Sequence, residues 1–156
     1  MTYSGQDRTL LDHAVPPSPP LQLGGIEKIA VFRALQIGDM LCAVPALRAL
    51  RAAFPHAHVT LVGLPWAAQF ARRFRVYIDD FAAFPGHPAL PEQPVQEEHL
   101  AGFYRDMRKR RFDLALQMHG SGQISNTIVR GFGARENAGF VLAEDGAPRD
   151  DLFVDY

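Results

Sequence analysis

The hydrophobic residues of this chain fall into short runs separated by segments with helical spacing. Lys28–Arg33 and His58–Gly63 are short, mostly apolar runs of the kind found in strands buried within a parallel sheet. Weaker or more mixed runs predict three further strands at Val76–Phe81, Phe112–Met118 and Arg135–Val141. The pattern therefore predicts five strands.

Between these runs, apolar residues recur at the three- and four-residue spacing of amphipathic helices. The clearest case follows the first strand, where one face of a helix would carry Leu41, Val44, Leu47, Leu50 and Phe54. Pro45 either opens this regular helix or kinks it near its start, because proline lacks the N–H group of a helix interior. Further helices are predicted at Pro65–Phe74, Glu97–Arg111 and Gln123–Arg130.

Strand and helix alternate along the chain without a repeat period. This order predicts an α/β fold, Rossmann-like and doubly wound, with a mainly parallel sheet. Right-handed crossovers place the turns after the first and fourth strands at the same carboxyl edge, where open α/β sheets bind ligands. The turns at Ala34–Asp39 and His119–Gln123 are therefore the candidate ligand-binding segments.

The organisation of the chain is read from its prolines and glycines. Residues 1–25 contain Pro16–Pro20 and are predicted to form a disordered tail. Residues 26–144 are predicted to form one domain, and residues 145–156 an unfinished connection. Residues 84–95 are rich in proline and predict a surface loop, which is either functional or mobile at this length.

Composition narrows the function classes. The chain has 156 residues, with 16 Lys and Arg against 17 Asp and Glu, so its charge does not indicate a nucleic-acid partner. The single Cys42 lies in an apolar run, which predicts a buried, unreactive thiol. One cysteine cannot form an intramolecular disulfide, which favours a reducing, cytoplasmic compartment. His56 and His58 lie close together, but further ligands are not evident, so no metal site is predicted.

The segment Arg33–Leu50 resembles the opening signature of family 9 glycosyltransferases. That signature is a strand, a Gly-Asp pair, an apolar run, Pro-Ala-Leu and an arginine-rich helix that leads to Phe-Pro. This chain matches it with Gly38-Asp39, with Pro45-Ala46-Leu47 and with Phe54-Pro55. Later segments of the family resemble Phe112–Gly120 and Ala134–Phe140, so the resemblance extends over residues 28–141.

The resemblance implies the N-terminal domain of a heptosyltransferase-like enzyme with the two-domain GT-B architecture. In that family the N-terminal domain holds the acceptor, often a lipopolysaccharide core sugar. The C-terminal domain binds the nucleotide-sugar, commonly ADP-heptose, which is a co-substrate and not a cofactor. Transfer inverts the anomeric carbon without a metal. Family members are roughly twice this length, so the chain is expected to need a donor-binding half and to expose an apolar face where that half docks.

The resemblance implies a role for three residues of the first turn. Asp39 matches the family's proposed general base, although an aspartate where a helix begins can also be only a cap. Gly38 would allow either a tight turn or a close approach of the acceptor to the backbone. Leu35-Gln36 stand where the family often has small or hydroxyl residues, which indicates a different acceptor.

The second turn supplies the other candidate acceptor-binding residues, which are His119, Gly120, Ser121 and Gln123. Backbone N–H groups of this segment would be able to hold an anionic group at the start of the next helix. The alternative interpretation is a structural turn in which Ser121 caps that helix and His119 has only a structural role.

Two basic segments carry a separate hypothesis. Arg108–Arg111 ends a predicted helix, where cations complement the helix dipole and are ordinarily solvated. Together with Arg72, Arg73 and Arg75 they would be able to attract anionic lipid or a phosphorylated acceptor. Peripheral contact with the inner face of a membrane follows from that hypothesis.

Two other function classes remain open. One is a non-catalytic binding or interaction module that a partner chain with a donor-binding domain completes. The other is a dinucleotide-dependent oxidoreductase, which ranks low because the turn Ala34–Asp39 lacks the Gly-x-Gly-x-x-Gly pattern.

Overall fold

In the computed structural model, which describes residues 24–141 and 152–155, a single sheet of six strands is flanked by five helices. The strands are β1 (Lys28–Phe32), β2 (His58–Gly63), β3 (Asp80–Ala83), β4 (Leu114–Gln117), β5 (Glu136–Val141) and β6 (Leu152–Asp155). The helices are α1 (Ile37–Cys42), α2 (Val44–Ala53), α3 (Ala67–Arg73), α4 (Glu97–Arg110) and α5 (Ser125–Arg130).

The sheet order is β3-β2-β1-β4-β5-β6, and every neighbouring pair is parallel. Ile29 of the central strand β1 lies opposite Val59 of β2 on one side and Leu114 of β4 on the other. The chain reverses its direction of progress across the sheet between β1 and β4, which is the switch point where such sheets bind ligands. The predicted doubly wound, parallel fold is confirmed, and the turns after β1 and β4 follow neighbouring strands.

Alternating side chains of the strands form two hydrophobic layers, because successive residues of a strand point to opposite faces. On one face Ile29 and Val31 pack in a cluster that includes Met40, Leu47 and Phe70. The other face packs against α4 and α5 in a cluster that contains Ala30, Phe32, Val62, Ala115, Met107, Ile128 and Phe132. Burial on both faces explains why β1 and β2 read as continuous apolar runs.

The largest differences between the predicted and the observed elements concern the third strand and the helix after β1. The third strand, predicted at Val76–Phe81, begins at Asp80, because the backbone after α3 continues in turns that place Tyr77 N–H on the carbonyl of Phe74. The single helix predicted after β1 is two helices that meet at Ala43. Pro45 opens the second of them, in agreement with the first of the two roles predicted for it.

The C-terminal residues contain structure that the sequence did not predict. Residues 145–156 were expected to be an unfinished connection, but Leu152–Asp155 form β6 and pair in parallel with β5. A short strand of this kind takes its stability from the neighbouring strand edge, which a local pattern does not reveal. The disordered tail predicted for residues 1–25 lies outside the described residues, apart from a turn at Gly24 and Gly25.

Cys42 is exposed, so the prediction of a buried thiol was wrong. The apolar run around it spans the junction of α1 and α2, and within α1 only Met40 is buried. In the described part of the chain, no helix combines the length and the apolar character needed to cross a membrane.

Asp79 and Arg51 join the amino end of β2 to the connection before β3. The Asp79 carboxylate accepts hydrogen bonds from Val59 N–H at 2.7 Å and from the Arg51 guanidinium at 2.5 Å. Arg51 also donates to the carbonyls of Ala57 and Tyr77, at 2.6 and 3.2 Å. One carboxylate therefore satisfies the amide of a fully buried residue and orients an arginine that holds two loops.

We predict that Asp79→Ala lowers the free energy of unfolding by about 1–3 kcal/mol, because the Val59 N–H loses its acceptor away from water. Urea denaturation followed by circular dichroism measures the change. Asp106→Ala is the matched control, since Asp106 pairs with Lys109 on the exposed surface of α4, where an ion pair contributes little. Equal stabilities of the two variants would contradict the structural role of Asp79.

Candidate functional site at the carboxyl edge

The guanidinium group of Arg33 ties together the two turns that follow β1 and β4. Its Nε and Nη2 atoms donate to the carbonyl oxygen of Asp39 at 3.1 and 2.8 Å. Its Nη1 atom donates to the carbonyl of Met118 at the end of β4. The first turn of α1 is therefore held against the start of the second turn by the side chain of the residue that directly follows β1.

The predicted residues of the first turn lie together on the surface of this edge. Gln36 precedes α1 without capping it through its side chain, and Gly38 and Asp39 are exposed within the helix. Among the described residues, no hydrogen bond is made to the Asp39 carboxylate, so the capping alternative has no support. Gly38 has open space around the position of a Cβ atom and no positive φ, so the tight-turn role is not required either.

The second turn presents exposed Gly120 and Gln123 and half-buried Ser121, whereas His119 is buried. Ser121 does not cap the following helix, because α5 begins only at Ser125. The Ser125 hydroxyl instead donates to the carbonyl of His119 at 2.6 Å. The capping interpretation of Ser121 was wrong. The hydroxyl that stabilises the turn is that of Ser125, the first residue of α5.

Gly122 lets this turn approach β5 more closely than any other residue would allow. It has a φ of 96°, and a Cβ atom at this position would lie 2.0 Å from the carbonyl oxygen of Phe140. The same carbonyl accepts a hydrogen bond from the Asn126 amide at 2.9 Å, and Phe140 N–H donates to Gln117 Oε1 at 3.2 Å. The second turn is therefore packed against the end of β5.

His119 is the buried centre of the edge. Its Nδ1 atom accepts a hydrogen bond from the backbone N–H of Ala34 at 3.2 Å, and its ring stacks on Phe32 with centroids 5.3 Å apart. Burial lowers the pKa of His119; the nearby charges of Glu92 and Asp39 raise it, and that of Arg33 lowers it. Because an amide N–H only donates, the neutral imidazole carries its proton on Nε2.

Glu92 is the site residue that sequence reasoning missed. Its Oε1 atom lies 3.6 Å from His119 Nε2, and its carboxylate comes from the proline-rich loop between β3 and α4. Gln93 donates to the carbonyl of Phe84 at 2.8 Å, and Gln96 N–H donates to the carbonyl of Pro85 at 2.9 Å, so the loop closes on itself. Its length was the only signal in the sequence, and length does not identify a partner.

An apolar rim of exposed side chains borders the same edge. It consists of Ile37, Leu41, Ile124 and Phe140, of which Ile37 is 59% exposed. Ile37 and Leu41 belong to α1, Ile124 follows the second turn, and the backbone of Phe140 packs against Gly122, so the rim borders the candidate site. Clusters of three or more His, Cys, Asp or Glu side chains suited to a metal ion do not occur in the part of the chain that is described.

The basic residues singled out in the sequence do not join this site. Arg72 and Arg73 end α3, and Arg108 and Lys109 end α4. Both helices run back from the carboxyl edge, because each of them precedes the amino end of the next parallel strand. Their terminal cations therefore lie on the opposite edge of the sheet, away from Asp39.

Comparison with solved structures gives the same fold in glycosyltransferases. A family 9 glycosyl transferase from Veillonella parvula superposes with a TM-score of 0.61 at 18% identity, covering 84% of this chain and 36% of that one. The E. coli heptosyltransferase WaaC with ADP-2-deoxy-2-fluoro heptose gives a TM-score of 0.52 at 13% identity, covering 72% and 36%. WaaC with ADP gives a TM-score of 0.54 at 16% identity, covering 72% of this chain and 35% of that one.

At these identities the comparisons establish the fold, which is the one that the resemblance in the sequence implied. The chain spans little more than a third of the length of the solved structures it matches. No protein-family model matches the sequence, and no curated protein sequence matches it.

We predict that Gly122→Ala destabilises the fold by roughly 2–4 kcal/mol, because the new methyl group meets a backbone carbonyl and the residue must keep a positive φ. The matched control is Gly120→Ala, which has a φ of 61° but open space around the Cβ position, so that it costs only about 1 kcal/mol. Thermal unfolding of the two variants measures both losses of stability. Equal losses would mean that the turn does not pack on β5.

We predict that His119 makes stability fall as the pH is lowered from about 7.5 to about 5.5. Because burial depresses the pKa of His119 in the folded state, the unfolded chain takes up the proton first as the pH falls through the ordinary value of 6.5. Urea denaturation of the wild type and of His119→Gln over this range measures the contribution, which the variant lacks. Parallel pH curves for the two proteins would contradict the assignment.

Proposed function

We propose that this chain is the acceptor-side half of an inverting glycosyltransferase. In this proposal a heptose-like sugar moves from a nucleotide-sugar to a saccharide or lipopolysaccharide-type acceptor, and a donor-binding half is needed for activity. The observation that carries the proposal is the exposed carboxylate of Asp39 at the switch point. Arg33 binds the backbone carbonyl of Asp39 and so holds this residue beside the second turn. The shared fold with a family 9 glycosyl transferase and a heptosyltransferase supports it.

Asp39 would act as the general base. Its carboxylate takes the proton from an acceptor hydroxyl while that oxygen attacks the anomeric carbon of the donor sugar. The nucleoside diphosphate leaves from the opposite face, so the anomeric configuration inverts. A carboxylate without an internal hydrogen-bond partner keeps its oxygen atoms available for the incoming hydroxyl, which is the geometric requirement for this role. The held backbone of α1 limits the reorganisation that the reaction needs.

The acceptor would lie across the two turns. Gln36 and Gln123 expose amide groups that donate and accept hydrogen bonds, as sugar hydroxyls require. Gly38, Gly120 and the half-buried Ser121 would allow close approach to the backbone. His119, which is buried, would support the acceptor surface from below rather than contact the sugar.

The nucleotide-sugar would be bound mainly by a second half, supplied in the same chain or by a partner. The solved structures with this fold are nearly three times as long as the segment they share with this chain, and WaaC is crystallised with ADP and with an ADP-sugar. The exposed rim around Ile37, Leu41, Ile124 and Phe140 would then face that half.

A non-catalytic binding module completed by a partner chain is the second candidate. The observation in its favour is the exposed rim of Ile37, Leu41, Ile124 and Phe140, an apolar surface that a partner chain would be able to cover. Such a module would bind saccharide at the same edge but would not depend on the charge of Asp39.

We predict that Asp39→Asn reduces sugar transfer by about 10²–10⁴-fold, the usual contribution of a general base, while acceptor binding is nearly unchanged. The assay joins the chain to a donor-binding half, in one polypeptide or as a second chain. It then follows transfer from ADP-heptose and from nucleotide-hexoses to core oligosaccharides.

Asp106→Asn is the matched control, because it removes an exposed carboxylate of α4 far from the site. Unchanged transfer in Asp39→Asn would remove Asp39 from the chemistry. Saccharide binding without any transfer, in every pairing with a donor-binding half, would favour the binding module.

We also propose that the arginines of the amino edge make peripheral contact with anionic lipid. Arg72, Arg73 and Arg75 are exposed and pair with no carboxylate among the described residues, and exposed Val76 follows them. Cations of this kind contribute about 1 kcal/mol each near an anionic surface, an attraction that salt screens.

We predict that the protein floats with vesicles containing phosphatidylglycerol, but not with vesicles of phosphatidylcholine alone, and that salt reverses the binding. The variant Arg72→Glu/Arg73→Glu is expected to lose this binding, whereas Arg48→Glu, at an exposed position in the middle of α2, keeps it. Flotation that does not depend on vesicle charge, or is unchanged in the double variant, would contradict the contact.

A further inference from the structure

The Glu92 carboxylate is an unusual group to find beneath the candidate site. Its side chain is 19% exposed, and its Oε2 atom is buried without a hydrogen-bond partner among the described residues. Its Oε1 atom approaches His119 Nε2 at 3.6 Å, at the edge of hydrogen-bond range. Burying a carboxylate with one unsatisfied oxygen is costly, and a protein with an apolar side chain of similar size at such a position is often equally stable or more stable. A structural role alone therefore does not account for Glu92.

The position of Glu92 in a chain of contacts suggests another role. Its carboxylate faces the Nε2–H group of His119, and the opposite ring nitrogen, Nδ1, accepts the N–H of Ala34. Ala34 opens the turn that leads into α1, and the neighbouring Arg33 binds the carbonyl of Asp39. Carboxylate, imidazole and amide thus connect the long loop to the segment that carries Asp39.

We propose that Glu92 is a positioning residue, which acts through His119 to hold the turn that carries Gln36, Gly38 and Asp39. The negative charge beside Nε2–H draws that proton towards the carboxylate and increases the electron density on Nδ1. A more basic Nδ1 is a better acceptor for Ala34 N–H, in the way that carboxylates orient and strengthen histidine ligands of metals. The inference rests on the proposed function only where it says that the positioned turn carries the general base.

The groups that face His119 come from four elements. Phe32 of β1 stacks on the ring, and Ala34 donates to Nδ1. The charges that act on it are Glu92 of the loop, Arg33 directly after β1 and Asp39 of α1. Glu92 and Asp39 favour the protonated ring, whereas burial and Arg33 oppose it. Among the charges, Glu92 has the largest effect, so its removal is expected to lower the pKa of His119 further.

The test uses this chain and three variants, and measures nuclear magnetic resonance signals that do not depend on catalysis. Glu92→Gln keeps an acceptor at Oε1 without the charge, and Glu92→Met fills the space without any acceptor. Glu97→Met, at the exposed start of α4, is the matched control. The readouts are the pKa of the His119 imidazole, the hydrogen exchange of the Ala34 amide and the stability in urea.

The proposal predicts a graded response. Exchange of the Ala34 amide becomes several-fold faster in Glu92→Gln and at least about tenfold faster in Glu92→Met, because His119 Nδ1 becomes a weaker acceptor; a tenfold change corresponds to about 1.4 kcal/mol. The pKa of His119 falls in both variants. Global stability stays the same or rises in Glu92→Met. Unchanged exchange and an unchanged His119 pKa in both variants would overturn the proposal, as would a large loss of stability in Glu92→Met with neither signal moved.

A second arm connects the residue to the reaction. In the transferase assay with a donor-binding half, Glu92→Met is expected to lower kcat by about ten- to a hundredfold with little change in KM, and Glu92→Gln to restore part of the loss. Wild-type kcat in Glu92→Met would overturn the link to Asp39. If no pairing shows transfer, the proposed function fails, while the resonance measurements still decide whether Glu92 holds the turn.

Discussion

The hydrogen bonds of the Arg33 guanidinium are the constraint on which the candidate site depends. Parallel pairing of β1 and β4 brings two turns to the same edge, but pairing alone does not set the distance between their backbones. Arg33 does so by donating to carbonyls on both sides, at Asp39 and Met118. An arginine suits this position because its planar group carries five donors with fixed directions. The surface across both turns therefore behaves as one unit.

Beneath that surface the structure buries polar groups where an apolar core would be simpler. Gln117, Ser125 and His119 share hydrogen bonds, and Asn126 binds the end of β5. Buried networks of this kind favour one arrangement over its alternatives, since each group is costly to leave without its partner. This network therefore holds the second turn in one arrangement. The exposed residues of that turn are proposed to contact the acceptor.

Charge is distributed unevenly between the two edges of the sheet. Among the described residues, the carboxyl edge carries Asp39 and Glu92, and Arg33 at this edge is engaged with backbone carbonyls. The amino edge carries the terminal cations of α3 and α4, partly neutralised by the pair of Arg110 and Asp80 at 2.5 Å. The edge with the proposed base is thus the less cationic one, in keeping with an acceptor that is recognised through hydroxyl groups.

The order of elements was predictable from the sequence, because burial on two faces leaves continuous apolar runs and amphipathic helices leave a three-to-four-residue spacing. β1, β2 and β4 were located to within a few residues in this way, and the alternation of strand and helix predicted the parallel sheet. The same topology pointed to the turn that carries Asp39, because the turn after the first strand opens at the ligand-binding edge. The role of Asp39 as a base came from the resemblance to family 9 glycosyltransferases and stays a prediction.

Only the tertiary structure determined which residues of the candidate site contact one another. Glu92 meets His119 through a loop whose path depends on its own backbone bonds, and Arg33 reaches Met118 only because β4 inserts beside β1. The strand β6 was likewise set by its pairing with β5, and the start of β3 by the turns that follow α3. Periodicity reports which face of an element is buried, but contacts between residues distant in the chain arise from the packing of whole elements, and a local pattern carries no record of them.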